Sequence, residues 1–190
     1  MALGPEMSRR RLAVLGLTCS AIALAAGQAR AARSELEIRQ RRIALAAAEF
    51  YTEGGERRTI ADFRGRGLVI NLWATWCPPC VEEMPALDRL AKLIATDRIE
   101  VLALSQDRGG GPVVRAFYDR HALRHLGVWL DPRGAAARSW GVRGLPTTII
   151  VDRAGMESAR VEGAASWDAP HMVAKLRSLV EPHEAATAAT

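Results

Sequence analysis

The stretch that most constrains this 190-residue chain is Leu68 to Pro85, LVINLWATWCPPCVEEMP. Leu68 to Trp73 is an apolar run with β-branched residues, the pattern of a buried strand. The run breaks at Ala74-Thr75-Trp76 into Cys77-Pro78-Pro79-Cys80. Beyond it Cys80, Met84, Leu87, Ala91 and Ile94 recur at steps of four, three, four and three, one face of an amphipathic helix. The two cysteines therefore stand where a buried strand hands over to a helix N-terminus. A thiolate there meets free backbone N–H groups and the positive end of the helix dipole, which lower its pKa. Pro78 and Pro79 suit a first turn, whose N–H groups lack intrahelical partners in any case. The expectation is a redox site, with an accessible low-pKa Cys77 and a partner thiol within reach.

A Cys-x-x-Cys pair also serves as half of a zinc site or as a structural bridge. Zinc would need two more ligands. The third cysteine, Cys19, falls in an apparent leader, and His121, His125, His171 and His183 have no finger spacing. His121 and His125 stand four apart, yet no third ligand accompanies them, so they read as surface residues. No metal or other cofactor is called for.

Residues 1–31 read as an export signal: Arg9, Arg10 and Arg11, an apolar stretch from Leu12 to Gly27, then Ala29-Arg30-Ala31 as a cleavage site. Ser8-Arg9-Arg10-Arg11-Leu12 fits a twin-arginine signal and equally a Sec signal, and both routes stay open. The apolar stretch is shorter than the ~20 residues of a spanning helix, so anchoring through residues 12–27 is the weaker alternative. Export leaves two cysteines in a compartment where disulfides persist, the periplasm. Charge follows the same division. Residues 1–31 carry four Arg and one Glu, the remainder 22 basic and 20 acidic residues, so the net +5 is no argument for nucleic acid. With 49% apolar and 25% charged residues, the chain is able to build one packed domain.

Four segments are expected: the signal over 1–31, a lead-in over 32–47, one domain over 48–182 and a frayed tail over 183–190. Ser34 to Ala48 is helix-prone, and its Arg39, Arg41 and Arg42 read as solvated. Phe50-Tyr51 and Arg58 to Ile60 flank Glu53-Gly54-Gly55-Glu56 as an N-terminal hairpin. Ile99 to Ser105 is a second buried strand. Asp107 to Gly111 is expected as a mobile loop, with Pro112 opening a helix to about His121. Val128 to Leu130 reads as a short strand, Ala135 to Trp140 as a short helix, and Thr147 to Val151 with Ser158 to Glu162 as a hairpin around Asp152-Arg153-Ala154-Gly155. Ser166 or Asp168 is expected to cap a last helix to about Val180. Strands alternating with helices and ending in a hairpin predict an α/β domain with a central mixed sheet.

Three separated motifs carry a resemblance: Trp76-Cys77-Pro78-Pro79-Cys80, Glu83-Met84-Pro85 and Gly144-Leu145-Pro146-Thr147. Over about residues 48–180 the chain resembles the thioredoxin fold, and within it the exported TlpA/ResA type of thiol-disulfide oxidoreductase. The resemblance implies a redox-active disulfide between Cys77 and Cys80, with Cys77 attacking and Cys80 resolving. It implies a cis Pro146 against the dithiol, and Trp76, Leu145 and Pro146 at the substrate. It also implies protein disulfide substrates, either apocytochrome c or a copper-site protein, and recharging by a membrane thiol transporter of the DsbD/CcdA type. Where thioredoxin has a buried acid six residues before its first cysteine, this chain has Asn71, as TlpA-type proteins do. Asn cannot titrate. Glu83, three residues beyond Cys80 and on the same helix face, is the candidate proton acceptor; a first-turn acid complementing the helix dipole is the plainer reading of it.

Rival functions differ in what they require. A DsbA-like oxidase would carry His at Pro79 and a large helical insertion. A copper or haem chaperone would use the dithiol as a ligand with a further His or Met nearby. A peroxiredoxin-like peroxidase needs a Thr three residues before a lone cysteine, whereas Thr75 stands two before Cys77.

Overall fold

The computed structural model describes residues 36–182. They run β1 (Glu37–Ala44), β2 (Phe50–Thr52), β3 (Arg57–Arg58), a 3-10 turn (Ile60–Phe63), β4 (Gly67–Trp73), α1 (Pro78–Leu93), β5 (Ile99–Ser105), α2 (Gly110–Arg120), β6 (Trp129–Leu130), α3 (Ala135–Ser139), β7 (Thr147–Val151), β8 (Met156–Glu162) and α4 (Pro170–Leu179). The strands form one mixed sheet in the order β1-β8-β7-β4-β5-β6-β2-β3. Every residue of β4 is buried. It pairs parallel with β5 and antiparallel with β7, which is why it reads as a nearly continuous apolar run, interrupted only by Asn71.

Alternation along β4 feeds two cores. Val69 and Trp73 face a cluster with Met84, Leu87 and Leu90 of α1, Val114 and Phe117 of α2, and Val173 and Leu176 of α4. Leu68, Ile70 and Leu72 face Phe50, Phe63, Ala136 and Trp140. In α1 the expected stripe is buried at Cys80, Met84, Leu87 and Ile94, all fully enclosed. Burial of each long apolar side chain contributes roughly 1.5–3 kcal/mol.

Three expectations need correction. The segment read as a helix-prone, solvated lead-in is β1, antiparallel to β8, so the sheet begins within residues 32–47. Charge pairing holds it there: Arg39 meets the fully buried Glu157 at 2.9 Å, and Arg42 pairs with the buried Asp152. The second helix opens at Gly110, before Pro112. The last helix begins after Ala169 with no side-chain cap, because Asp168 is drawn to Arg89 at 2.7 Å and Pro170 supplies the preset first turn. The Phe50–Arg58 hairpin is present as β2 and β3, at the sheet edge beyond β6. The export signal and the frayed tail lie outside the described residues. Among the described residues, no helix is long and apolar enough to cross a membrane.

Candidate active site

Cys77 is the N-cap of α1, and a disulfide joins it to Cys80 with the Cα atoms 5.3 Å apart. Pro78 and Pro79 have no N–H to offer, so the Cys80 amide is the first donor at this helix end. A sulfur at the N-cap occupies the position where a capping oxygen would accept from such a donor. Cys77 is 5% exposed and Cys80 wholly buried, so the reachable sulfur is that of Cys77, through a narrower opening than expected. Trp76 beside it is 68% exposed.

The turn carrying Trp76 and Cys77 is fixed from below by a carboxylate that sequence reasoning missed. Asp107 accepts the Thr75 amide at 3.0 Å, the Thr75 hydroxyl at 2.7 Å and the Ser105 hydroxyl at 2.8 Å. Asp107 is buried, so the expected mobile loop is anchored at its first residue. No spacing signal marks this contact, since it joins the end of β5 to the end of β4 across 32 residues.

Glu83 lies in α1 with 4% exposure, and three donors converge on its carboxylate. Oε1 accepts from the Asn71 amide at 2.8 Å, and Oε2 accepts from the Ala165 backbone at 3.0 Å and the Trp167 indole at 2.7 Å. Burial pushes the carboxyl above its ordinary value, against the downward pull of the Trp167, Ala165 and Asn71 bonds. An exposed acid serving the helix dipole would have neither this burial nor these partners. Glu82, its neighbour, is exposed and free of them. A carboxyl held high in this way is better matched to exchanging a proton with a thiol than an ordinary one. Trp167 and Ala165 were not anticipated; only the isolated Trp beyond the last strand hinted at a buried partner.

The loop of the third motif has the expected peptide isomer. Leu145–Pro146 is cis, Pro146 is buried, and its carbonyl accepts from the Gly163 amide at 2.8 Å. The Thr147 hydroxyl donates to the Gly144 carbonyl at 2.7 Å, bracing the loop. Leu145 is half-buried and lines one groove together with Trp76, so two of the expected substrate residues come together there. His121, His125 and His171 are exposed, as expected: His121 stacks on Phe117 at 4.2 Å, and His125 lies 2.9 Å from Asp88, while His183 lies outside the described residues.

Comparison with known proteins agrees with this architecture. A family model described as the AhpC/TSA family matches residues 42–156. The thiol-disulfide oxidoreductase ResA of Bacillus thuringiensis subsp. konkukian is 31% identical over 109 residues, which cover 57% of this chain and 62% of that protein. ResA of Halalkalibacterium halodurans is 30% identical over 128 residues, 67% of this chain and 70% of that protein. The chain thus spans about three fifths of the length of the first of these relatives. A thiol:disulfide interchange protein of the thioredoxin family from Chlorobium tepidum superposes with a TM-score of 0.58 at 20% identity, covering 73% of this chain and 99% of that one. The fold is thioredoxin-like.

Proposed function

This chain belongs to the AhpC/TSA family, and from that premise we propose that it is an exported thiol-disulfide oxidoreductase that reduces protein disulfides in the periplasm. The observation that carries the proposal is the asymmetry of the dithiol: Cys77 at the helix N-cap and partly open, Cys80 sealed, Glu83 one turn further on. The Cys77 thiolate attacks one sulfur of the partner's disulfide. That S–S bond breaks, a mixed disulfide forms, and the first partner sulfur leaves as a thiolate. Cys80, its proton passed to Glu83, attacks the Cys77 sulfur and expels the second partner thiolate. The partner gains two electrons and two protons, and the chain is left with the Cys77–Cys80 disulfide. Turnover needs a dithiol donor, and a membrane thiol transporter of the DsbD/CcdA type fits that need.

The substrate class we favour is the haem-site cysteines of apocytochrome c or the cysteines of an oxidase copper centre. The resemblance of the three site motifs to the TlpA/ResA type and the export signal read in residues 1–31 support this choice. A peroxidase reading is disfavoured by Thr75, whose hydroxyl is committed to Asp107 at 2.7 Å rather than to a reacting sulfur.

The test is reduction of insulin and of a cysteine-containing haem-site peptide disulfide, set beside copper titration and the reduction potential of the pair. Turnover without stoichiometric metal binding supports a reductase; binding without turnover indicates a chaperone, and a strongly oxidising potential a DsbA-like oxidase. In the reduced protein Cys77 should alkylate at least about ten times faster than Cys80 near neutral pH, as a lowered thiol pKa requires. Cys80→Ser should accumulate mixed disulfides. Equal alkylation rates in the native protein would overturn the assignment of roles.

A further inference from the structure

The groove that Trp76 shares with Leu145 has a rim of one sign. Arg108, Arg133 and Arg143 line it, no Asp or Glu does, and its volume is about 360 Å3. A fourth cation adjoins them, since Arg138 donates to the Arg133 carbonyl at 2.6 Å. Carboxylates nearby are already engaged. Asp131 is buried and accepts from the Ala135 and Ala137 amides and from Gln106, itself a lining residue. Glu162 is taken by Arg143 at 3.0 Å. Among the described residues, Arg108, Arg133 and Arg138 have no carboxylate partner. Outside residues 1–31 the chain carries 22 basic and 20 acidic residues, so this is a local concentration of charge and not the character of the whole surface.

We propose that this groove selects substrates by the residues flanking the reacting cysteine, docking an extended segment of the partner polypeptide that carries Asp or Glu within a few residues of its disulfide. The inference rests on the reductase reading above and adds the partner's chemistry to it. Trp76 and Leu145 supply apolar contact at the end nearest the dithiol, where Trp76 adjoins Cys77. The guanidinium groups of Arg108 and Arg133 beyond them, without a carboxylate partner among the described residues, offer forked donors that match a carboxylate. Such a rim raises the rate of encounter with an acidic segment and repels a basic one, and salt screens both effects.

Three peptide disulfides of equal length, flanked by Glu, Ser or Lys, test it with the reduced full chain. Expected rates fall in the order Glu, Ser, Lys, with at least about a tenfold span at low ionic strength that narrows several-fold on adding salt. The double variant Arg108→Glu, Arg133→Glu should reverse the order. Equal wild-type rates, or an order unchanged in the double variant, would overturn the proposal. Binding of the same peptides with Ser in place of Cys, followed by fluorescence anisotropy, reads the groove without turnover. Preferential binding of the Glu peptide supports the groove even if none of the disulfides is reduced, an outcome that would sink the reductase reading alone. Equal binding of all three overturns the groove even if all are reduced.

Discussion

The side-chain amide of Asn71 donates to the Glu83 carboxylate across 2.8 Å, tying the central strand to the helix one turn beyond Cys80. The same amide nitrogen donates to the Thr148 hydroxyl at 2.9 Å, while Oδ1 of Asn71 finds no partner among the described residues. An amide presents a donor at one end and an acceptor at the other. Turned over, Asn71 would accept a hydrogen from residue 83 instead of giving one.

That freedom makes Glu83→Gln a clean probe. The new amide can donate to a turned Asn71, while its oxygen still accepts from Ala165 and Trp167, so the variant is expected to fold. Loss of one general base costs about 10²–10⁴-fold where proton transfer limits the rate. The resolving step should slow toward the lower end of that range, because buffer partly substitutes. Attack by Cys77 should change less, and Glu82→Gln should change neither. Stopped-flow exchange with a peptide disulfide separates the two steps; identical pH profiles for the two variants would reduce Glu83 to a packing role.

Stability should respond to pH through the same carboxyl. Its value is raised in the folded chain above the ordinary 4.5, so the native state holds the proton more tightly than the unfolded one. Between those two values folding retains a proton, and stability therefore falls as pH rises through that window. Below the window the difference vanishes. Denaturant melts from about pH 4 to 8 should show this decline in the wild type and a flatter profile in Glu83→Gln. A wild-type profile rising relative to the variant across the window would reverse the assigned direction.

Asp107→Ala should leave the Ser105 hydroxyl and both Thr75 donors without their acceptor. Stranded buried donors cost about 1–3 kcal/mol, and the expected loss of stability lies in that range. Disulfide exchange should also slow, since Thr75 leads directly into Trp76 and Cys77. Urea unfolding with parallel kinetics measures both. Stability and rate matching the wild type would mean that the turn holds itself.

Glu157 accounts for two arginines at once, Arg39 at 2.9 Å and Arg160 at 2.9 Å, and is wholly buried. Glu157→Ala leaves the buried Arg160 uncompensated and should cost about 3–5 kcal/mol. Arg39→Ala, whose side chain is partly exposed, should cost much less. Thermal or chemical unfolding of the two variants gives the comparison, and equal losses would show that β1 and not the buried charge dominates.

What could be read in the sequence follows from the range of the forces involved. β4 and α1 were legible because their burial imprints a local pattern, an apolar run and then a stripe at helical spacing. The site cysteines came with them. β1 was not legible: Glu37–Ala44 shows no alternation, and its anchors, such as Arg39 to Glu157, join residues 118 apart. Asp168 looked like a helix cap for the same reason, its true partner Arg89 being 79 residues away. Glu83 was located by its spacing from Cys80, but its backbone and indole partners arrive from much later in the chain, 82 and 84 residues on.

The strand order places the first two described strands on opposite flanks of the sheet, β1 against β8 and β2 against β6. On a growing chain, β2 has at first only the two residues of β3 to pair with, and β1 has no neighbour when it is made. The β2–β3 hairpin joins the sheet only with Trp129–Leu130, and β1 only with Met156–Glu162. At about 5–20 residues per second, the delay before β1 can pair is on the order of ten seconds. β1 therefore remains single until almost the whole domain has been synthesised, with Ile38 and Ile43 half-exposed even after docking. A chain wired in this way cannot complete its sheet until its last strand has been made.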